Sequence, residues 1–177
     1  MAEKLEQGLV QVYTGEGKGK TTAALGLALR ALGRGLKVFM LQFLKGDDTG
    51  ELHAGRLFGD RLTIEQTGLK GFIRRGHIAA ADVQRAKEAL RRAREILVSG
   101  EYDLVILDEI NVALYFELIS SNEVLQLLHD RAPKVEVVLT GRYAPQEIIA
   151  AADLVTEMKN IKHYYHAGVP ARVGIES

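Results

Sequence analysis

One stretch constrains the fold of this chain most: an alternating apolar segment that runs into a glycine-rich loop and then into a helix-forming segment. Val10 and Val12 alternate with Gln11 and Tyr13, as in a buried strand, and residues 23–30 favour a helix. The loop between them has three glycines within residues 15–19 and continues as Lys-Thr-Thr. This order is that of a P-loop, in which backbone N–H groups and a helix N-terminus form a cup for phosphate.

The polar positions of this loop have expected roles in binding a nucleoside triphosphate. Lys20 should reach phosphate oxygens, and the Thr21 hydroxyl should hold Mg²⁺. The general pattern has its first glycine at position 14, where this chain has Thr14. The alternative is a glycine-rich turn that only joins a strand to a helix, but Gly-Lys-Thr in this context is far more specific than a glycine cluster. The predicted nucleotide-binding residues are Thr14, Gly15, Glu16, Gly17, Lys18, Gly19, Lys20, Thr21 and Thr22.

A second chemical element follows the apolar run 104–107. Asp108 and Glu109 come directly after it, as when a buried strand brings a carboxylate to the end of a sheet. In P-loop proteins such an acid binds Mg²⁺ directly or through water, and we expect this of Asp108. For Glu109 three roles are open: polarising an attacking water, acting as a second magnesium partner, or contacting substrate. The predicted metal site is therefore Thr21, Asp108 and Glu109, and the predicted catalytic residues are Lys20, Asp108 and Glu109.

Alternating strand and helix patterns predict an α/β fold, a three-layer structure with a mostly parallel sheet and the RecA-like architecture of P-loop NTPases. The predicted strands are 10–13, 37–43, 62–67, 104–107, 135–140 and 153–158. The predicted helices are 23–30, 80–99, one from 121 to about 131 and one that begins at Pro145, with 111–116 as helix or loop. Ligands bind where parallel strands end. The loops expected at that edge are 14–21, 44–51, 68–77, 108–111 and 140–143.

Composition narrows the classes of protein that fit. The chain has 177 residues and 47% hydrophobic residues, which predicts one domain with a full core. It has no cysteine, which excludes disulfides and thiolate chemistry, and we expect a cytoplasmic protein because no signal peptide or membrane-spanning run is present. The formal net charge is zero, so no overall positive field favours nucleic acid as a partner.

Several segments of the chain form a combination that is far more specific than the P-loop alone: 14–24, 42–46, 105–110, 139–142, 162–163, 167–169 and 174–175. Taken together, they resemble the P-loop type of ATP:corrinoid (cob(I)alamin) adenosyltransferases. The resemblance runs from about residue 8 to residue 176, and threonine at position 14 is what this family carries there.

The resemblance implies an enzyme of cobalamin biosynthesis, a cob(I)yrinic acid a,c-diamide or cob(I)alamin adenosyltransferase, formed by a single P-loop domain over residues 1–177. It implies that the 5′-deoxyadenosyl group of ATP passes to the Co(I) centre of a reduced corrinoid and that triphosphate is released, with Mg²⁺ accompanying ATP. ATP would lie reversed relative to P-loop hydrolases, so that C5′ faces the corrinoid. Because cobalt is the nucleophile, the protein positions its substrates and stabilises the leaving triphosphate. In the family that this chain resembles, the acid at the position of Glu109 is tied to catalysis.

The resemblance also implies that apolar residues after the third strand help remove the lower axial ligand of a Co(II) corrinoid. The best-known members have two aromatic residues just after the Thr-Gly that matches residues 67–68, whereas this chain has Leu69 and no aromatic residue before Phe72. Leu69 and Phe72 are the predicted corrinoid contacts, and Arg142 is expected to meet ATP or corrinoid. A homodimer and an electron donor such as a reduced flavoprotein are expected as well.

Two other functions are compatible with parts of the sequence. One is a conventional P-loop ATPase or small-molecule kinase with Glu109 as general base. The other is a RecA-like nucleic-acid-binding module that uses the basic loop 70–75, against which the zero net charge counts. The reaction products separate the first of these from adenosyl transfer, because a hydrolase or kinase yields ADP and an adenosyltransferase yields triphosphate.

Overall fold

The computed structural model describes residues 5–68 and 78–176. Within them, six strands form one parallel sheet in the order β3-β2-β4-β5-β1-β6. The strands are β1 (Val10–Thr14), β2 (Val38–Gln42), β3 (Leu62–Gln66), β4 (Leu104–Asp108), β5 (Glu136–Thr140) and β6 (Leu154–Glu157). The helices are α1 (Lys20–Gly33), α2 (Gly50–Gly55), α3 (Ala80–Ser99), α4 (Ile110–Tyr115), α5 (Ser121–Asp130) and α6 (Gln146–Ala151), with 3₁₀ helices at Arg56–Arg61 and Tyr164–Ala167. The predicted α/β class with a parallel sheet is confirmed.

The central strands β2 and β4 are buried along their whole length. Successive side chains of a strand point to opposite faces, so each of these strands supplies both apolar layers. One layer contains Phe39, Leu41, Val105 and Leu107 together with alanines of α3, and the other contains Val38, Met40, Leu104 and Ile106 together with alanines of α1. Burial on both faces explains why the two strands are almost continuously apolar in sequence.

Most predicted elements are confirmed to within one or two residues, and the helix predicted over 80–99 matches α3. Helix α1 extends three residues beyond its prediction at each end. The polar loop predicted over 44–51 ends earlier, because α2 begins at Gly50, and the 3₁₀ helix Arg56–Arg61 was not predicted either. These short helices have no apolar periodicity of their own. Gly55 at the end of α2 lies against Ile64 of β3, so tertiary contact positions them.

The edge strand β6 differs from the rest of the sheet, since all four of its residues are exposed. It nevertheless pairs with β1 over four residue positions. Val155 and Thr156 are β-branched, which favours an extended strand without burial. Across the described residues, every helix is too short or too polar to span a bilayer.

Candidate functional site

Buried polar side chains gather where β2, β4 and β5 end. Gln42, Asp108 and Thr140 are the last residues of these strands and are fully buried. Thr14 ends β1, and Lys20 begins α1; both are buried too. Because all the strands are parallel, their ends share one edge of the sheet, as the sequence predicted. Buried polar groups need partners, and these residues find them in one another and in the P-loop.

The P-loop is braced by the segment that follows β6. Gly15 and Gly19 have φ angles of +95° and +120°, which residues with a side chain rarely adopt. A Cβ atom at Gly15 would lie 2.5 Å from the carbonyl oxygen of Met158. The Gly17 N–H donates to that same oxygen at 2.7 Å, and Met158 N donates to the Thr14 carbonyl at 2.8 Å. The glycine pattern is thus required both by backbone conformation and by the close approach of a second segment.

Lys20 is held inside this loop. Its Nζ atom donates to the carbonyl oxygens of Gly15 at 2.8 Å and Gly17 at 2.6 Å. Burial lowers the pKa of Lys20; the negative charge of Glu109 opposes this shift, and the positive charge of Arg142 adds to it. A desolvated ammonium bonded to neutral carbonyls would gain from an anionic acceptor, since charge-assisted hydrogen bonds are the stronger kind. Lys20 therefore lies where a phosphate oxygen would be bound.

Asp108 is the centre of the polar group. Its Oδ1 atom accepts hydrogen bonds from the hydroxyls of Thr21 at 2.8 Å and Thr140 at 2.7 Å. Its Oδ2 atom accepts from Lys45 Nζ at 2.8 Å and from Gln42 Nε2 at 3.2 Å. An ionised carboxylate has about four lone-pair positions, and these four donors fill them. We call these five side chains the carboxylate cluster.

The donor set fits Mg²⁺. Thr21 gives its only hydroxyl proton to Asp108, which leaves its lone pairs available to a cation. Because Asp108 already accepts four hydrogen bonds, it suits the role of orienting Thr21 and a metal-bound water better than direct ligation. In the described part of the chain no three acidic or histidine side chains converge as a metal site. The remaining ligands would be phosphate oxygens and water, as is usual for Mg²⁺.

Glu109 lies next to this cluster in a strained backbone conformation. Its φ is +62°, and its N–H donates to Thr140 Oγ1 at 3.0 Å just before α4 begins. Burial raises the pKa of the Glu109 carboxyl, and the charge of Asp108 raises it further, although Lys45, Lys20 and Arg142 oppose this. A carboxylate with a raised pKa beside a phosphate loop is a candidate for a functional role.

Strained residues recur along the same edge. Leu44, Glu109 and Tyr143 all have φ angles near +60°, and they follow β2, β4 and β5 respectively. Such conformations cost about 1–3 kcal/mol each and cluster at functional sites. Arg142 is exposed between Gly141 and Tyr143, and its charge reaches both Lys20 and Glu109.

The remaining predicted site residues divide into two groups. Glu16, Lys18 and Thr22 are exposed, and Lys18 Nζ donates to the Ile175 carbonyl at 3.3 Å. Leu69 and Phe72, the predicted corrinoid contacts, lie outside the described residues.

Three members of the carboxylate cluster were not predicted as site residues. Lys45 forms an ion pair with Asp108, while Gln42 and Thr140 bond the same carboxylate. A signal was present for two of them: a polar residue that ends an otherwise apolar buried strand, as Gln42 and Thr140 do, is expensive to bury without a functional or structural partner. Lys45 had no comparable signal, because it lies in a polar loop, where a lysine is usually exposed to solvent.

Comparisons with known proteins identify the family. The model of ATP:corrinoid adenosyltransferases BtuR/CobO/CobP matches residues 6–177. Relatives named corrinoid adenosyltransferase include one from Sinorhizobium sp, 40% identical over 97% of this chain and 81% of its own length. Another, from Pseudomonas aeruginosa, is 38% identical over 97% of this chain and 84% of its own. A third, from Escherichia coli K12, is 36% identical over 97% and 86%.

A solved structure shares the fold. The flagellar accessory protein FlaH from Methanocaldococcus jannaschii matches with a TM-score of 0.61 and 14% identity, over 86% of this chain and 72% of its own. At that identity the likeness concerns architecture only. The family model and the curated relatives together confirm the resemblance seen in the sequence: this chain belongs to the ATP:corrinoid adenosyltransferases, nucleotide-binding transferases of cobalamin biosynthesis.

Proposed function

We propose that this protein transfers the 5′-deoxyadenosyl group of ATP to the Co(I) centre of a reduced corrinoid and releases triphosphate. The observation that carries the proposal, within a chain of this family, is the contact of Thr21 Oγ1 with Asp108 Oδ1 beside the buried Lys20. That arrangement joins a phosphate loop to a carboxylate that would orient Thr21 and bound Mg²⁺. Neither the loop nor the carboxylate is the nucleophile that attacks C5′ of ATP; that nucleophile is the Co(I) centre of the corrinoid.

The transfer is a displacement at C5′ of ATP. The electron pair of Co(I) forms the new cobalt–carbon bond, the bond from C5′ to its ester oxygen breaks, and that oxygen leaves with the electron pair as part of triphosphate. Cobalt ends as Co(III), so the two electrons of the new bond are those of the metal. Charge therefore grows on the leaving triphosphate, and this is the charge that the protein must stabilise.

Each residue of the site has a part in this step. Lys20 exchanges its carbonyl acceptors in the loop for phosphate oxygens, and the amides of the loop add neutral donors. Bound Mg²⁺ would supply further positive charge to the triphosphate, held by Thr21 and oriented through Asp108. Glu109, directly after β4, would fix that metal shell or the ribose. ATP would lie with C5′ turned toward the corrinoid, the reverse of P-loop hydrolases.

The proposal includes two partners beyond the substrates. A separate donor such as a reduced flavoprotein would deliver the electron that forms Co(I), as the family resemblance implies. We also propose a homodimer, as the family resemblance implies. Size-exclusion chromatography with light scattering measures the second point directly.

The test is an anaerobic assay with Mg-ATP and chemically reduced cobalamin. Loss of the Co(I) absorbance reports adenosylation, and ion-exchange analysis reports whether triphosphate or ADP is released. Lys20→Ala should lower turnover by about 10²–10³-fold, the effect of losing one preorganised donor. Lys134→Ala is the matched control, because Lys134 is exposed just before β5, at the opposite edge of the sheet.

Two outcomes would contradict the proposal. Release of ADP and phosphate without adenosylcobalamin would identify a hydrolase or kinase, with Glu109 as its base. Equal activity of the Lys20 and Lys134 variants would show that phosphate is bound elsewhere.

A further inference from the structure

We propose that Tyr143, backed by Tyr115, is the stacking surface for the adenine ring of ATP. The inference rests on the proposed function and deepens it, because it assigns a base-binding subsite to a chain whose predicted nucleotide contacts are otherwise phosphate contacts.

The position of Tyr143 places it beside the phosphate loop. Its neighbour Ala144 donates its N–H to Thr14 Oγ1 at 3.2 Å, and its other neighbour Arg142 is near enough to act electrostatically on Lys20. The strands that carry the two loops, β1 and β5, are adjacent in the sheet. Neighbouring strands lie about 4.8 Å apart, so a nucleotide with its phosphates on one loop can reach the other with its base.

The two tyrosine rings form a platform. Their centroids are 4.3 Å apart with an interplanar angle of 31°, which is a near-stacked arrangement. Tyr115 is half-buried and also contacts Phe116, with ring centroids 5.5 Å apart. Tyr143 lies outermost and is 46% exposed. Packing thus supports one side of the Tyr143 ring and leaves much of its surface to solvent, as a stacking surface for a flat ligand requires.

The backbone at Tyr143 is strained. Its φ is +60°, a region that glycine and asparagine adopt at low cost and that bulky residues rarely enter. An exposed aromatic side chain contributes little to the core in return. Tyr143 keeps this strained conformation although its side chain is not needed in the core, which is typical of residues with a functional role.

Adenine is the occupant that this surface suits. A purine is flat and fully conjugated on both faces, so it can stack on a tyrosine ring over its whole area. A corrin has saturated carbons and amide arms around its rim, which hold a flat ring away from its face. Adenine is also the only aromatic group covalently tied to the triphosphate, which the neighbouring loop binds in the proposed function.

The experiment compares ATP with inorganic triphosphate as probes, each titrated calorimetrically with Mg²⁺ present. Tyr143→Asn removes the ring and tolerates the backbone conformation, whereas Tyr143→Phe keeps the ring. We expect Tyr143→Asn to weaken ATP binding roughly 5- to 150-fold, the range for loss of one base–aromatic stack, and to leave triphosphate binding unchanged. Tyr143→Phe should bind both probes like the wild type. Tyr165→Asn, which removes another exposed ring from the 3₁₀ helix Tyr164–Ala167, is the control.

A spectroscopic readout is independent of affinity. The chain has six tyrosines and no tryptophan, so its intrinsic emission comes from tyrosine. ATP, corrected for its own absorption, should quench this emission more than triphosphate does, and the difference should shrink in Tyr143→Asn.

Other results would overturn the inference. Equal weakening of ATP and triphosphate would mean that Tyr143 only supports the phosphate loop. Unchanged ATP binding with a higher KM for corrinoid would assign the ring to the other substrate. Failure of the wild type to bind either probe would instead contradict the proposed function itself.

Discussion

The carboxylate cluster and the C-terminal segment of the chain both contain charged side chains in dense hydrogen-bond networks, but they differ in their access to water. In the first, Asp108 is fully buried and accepts four hydrogen bonds. In the second, Glu176 accepts from the exposed Arg172 and from the Tyr164 hydroxyl, and the Arg172 guanidinium lies 5.0 Å from the Tyr164 ring centroid. The two networks have similar hydrogen bonds, but we expect removal of a partner to cost much more stability in the first. Water can replace a lost partner only in the second network.

The largest loss of stability is expected for Asp108→Asn, in the carboxylate cluster. The substitution keeps the shape but removes the charge and points an amide N–H₂ at existing donors. We expect the free energy of unfolding to fall by about 3 kcal/mol, as when a buried pair loses one partner. Urea denaturation measures the loss, with Asp47→Asn, an exposed carboxylate in the loop after β2, as control. Equal stability of the two variants would show that water compensates for a lost partner in the carboxylate cluster as it does at the surface.

The next largest effect is expected for Lys45→Met, which removes the cation from Asp108 Oδ2. We expect a loss of about 1–2 kcal/mol, smaller because the Lys45 side chain is 27% exposed and water can enter. Burial lowers the pKa of Lys45, but the charge of Asp108 and its hydrogen bond raise it more, so the net shift is upward.

The sign of the Lys45 shift gives a pH test. A raised lysine pKa stabilises the fold below the unfolded value of 10.5, and this stabilisation disappears as pH rises through the folded value. The difference in urea midpoint between wild type and Lys45→Met should therefore be full at pH 8 and diminish above about pH 10.5. A difference that persists unchanged in alkali would assign it to lost packing.

Glu109→Gln should act in the opposite direction on stability. The folded pKa of Glu109 is raised, so its contribution favours folding below the ordinary value of 4.5 and is lost as pH rises through the folded pKa. At pH 7 the ionised Glu109 side chain therefore destabilises the folded state, and Glu109→Gln should raise the free energy of unfolding. The same substitution should slow adenosylation. Urea melts in EDTA at pH 4 and pH 7 test this, and a variant less stable than wild type at pH 7 would refute it.

The smallest effect is expected for Glu176→Gln in the C-terminal segment. The hydrogen bonds from Arg172 and Tyr164 lower the pKa of Glu176 to about 2, yet its ion-pair partner Arg172 is 51% exposed, so water can replace a lost partner. We expect no measurable change in the urea midpoint and faster amide exchange confined to residues near the 3₁₀ helix. A shift comparable with that of Asp108→Asn would remove the contrast between the two networks.

The comparison also explains what sequence could and could not predict. Local patterns were sufficient for the P-loop, for the continuously apolar β4 that ends in Asp108, and for α3, since each is encoded within a few turns or one strand. Two contacts join positions that are far apart in the chain: the ion pair of Lys45 with Asp108 and the approach of Met158 to Gly15. No local sequence pattern predicts such contacts.

Two contacts of α3 show the same limit. The Asp82 carboxylate, in the first turn of the helix, accepts a hydrogen bond from the Ala79 N–H. Arg92 forms two hydrogen bonds to Glu65 of β3. The polar residue types are evident from the sequence, but the partners depend on where the helix begins and how it packs on the sheet.

The strand order has a consequence for how the protein is made. Strand β1, which leads into the phosphate loop, lies between β5 and β6 and pairs with them alone among the described strands. On the ribosome, β1 emerges long before β5 and β6, so it has no strand partner until both of them have been synthesised. The phosphate loop would therefore be completed, and nucleotide bound, only after β6 has emerged.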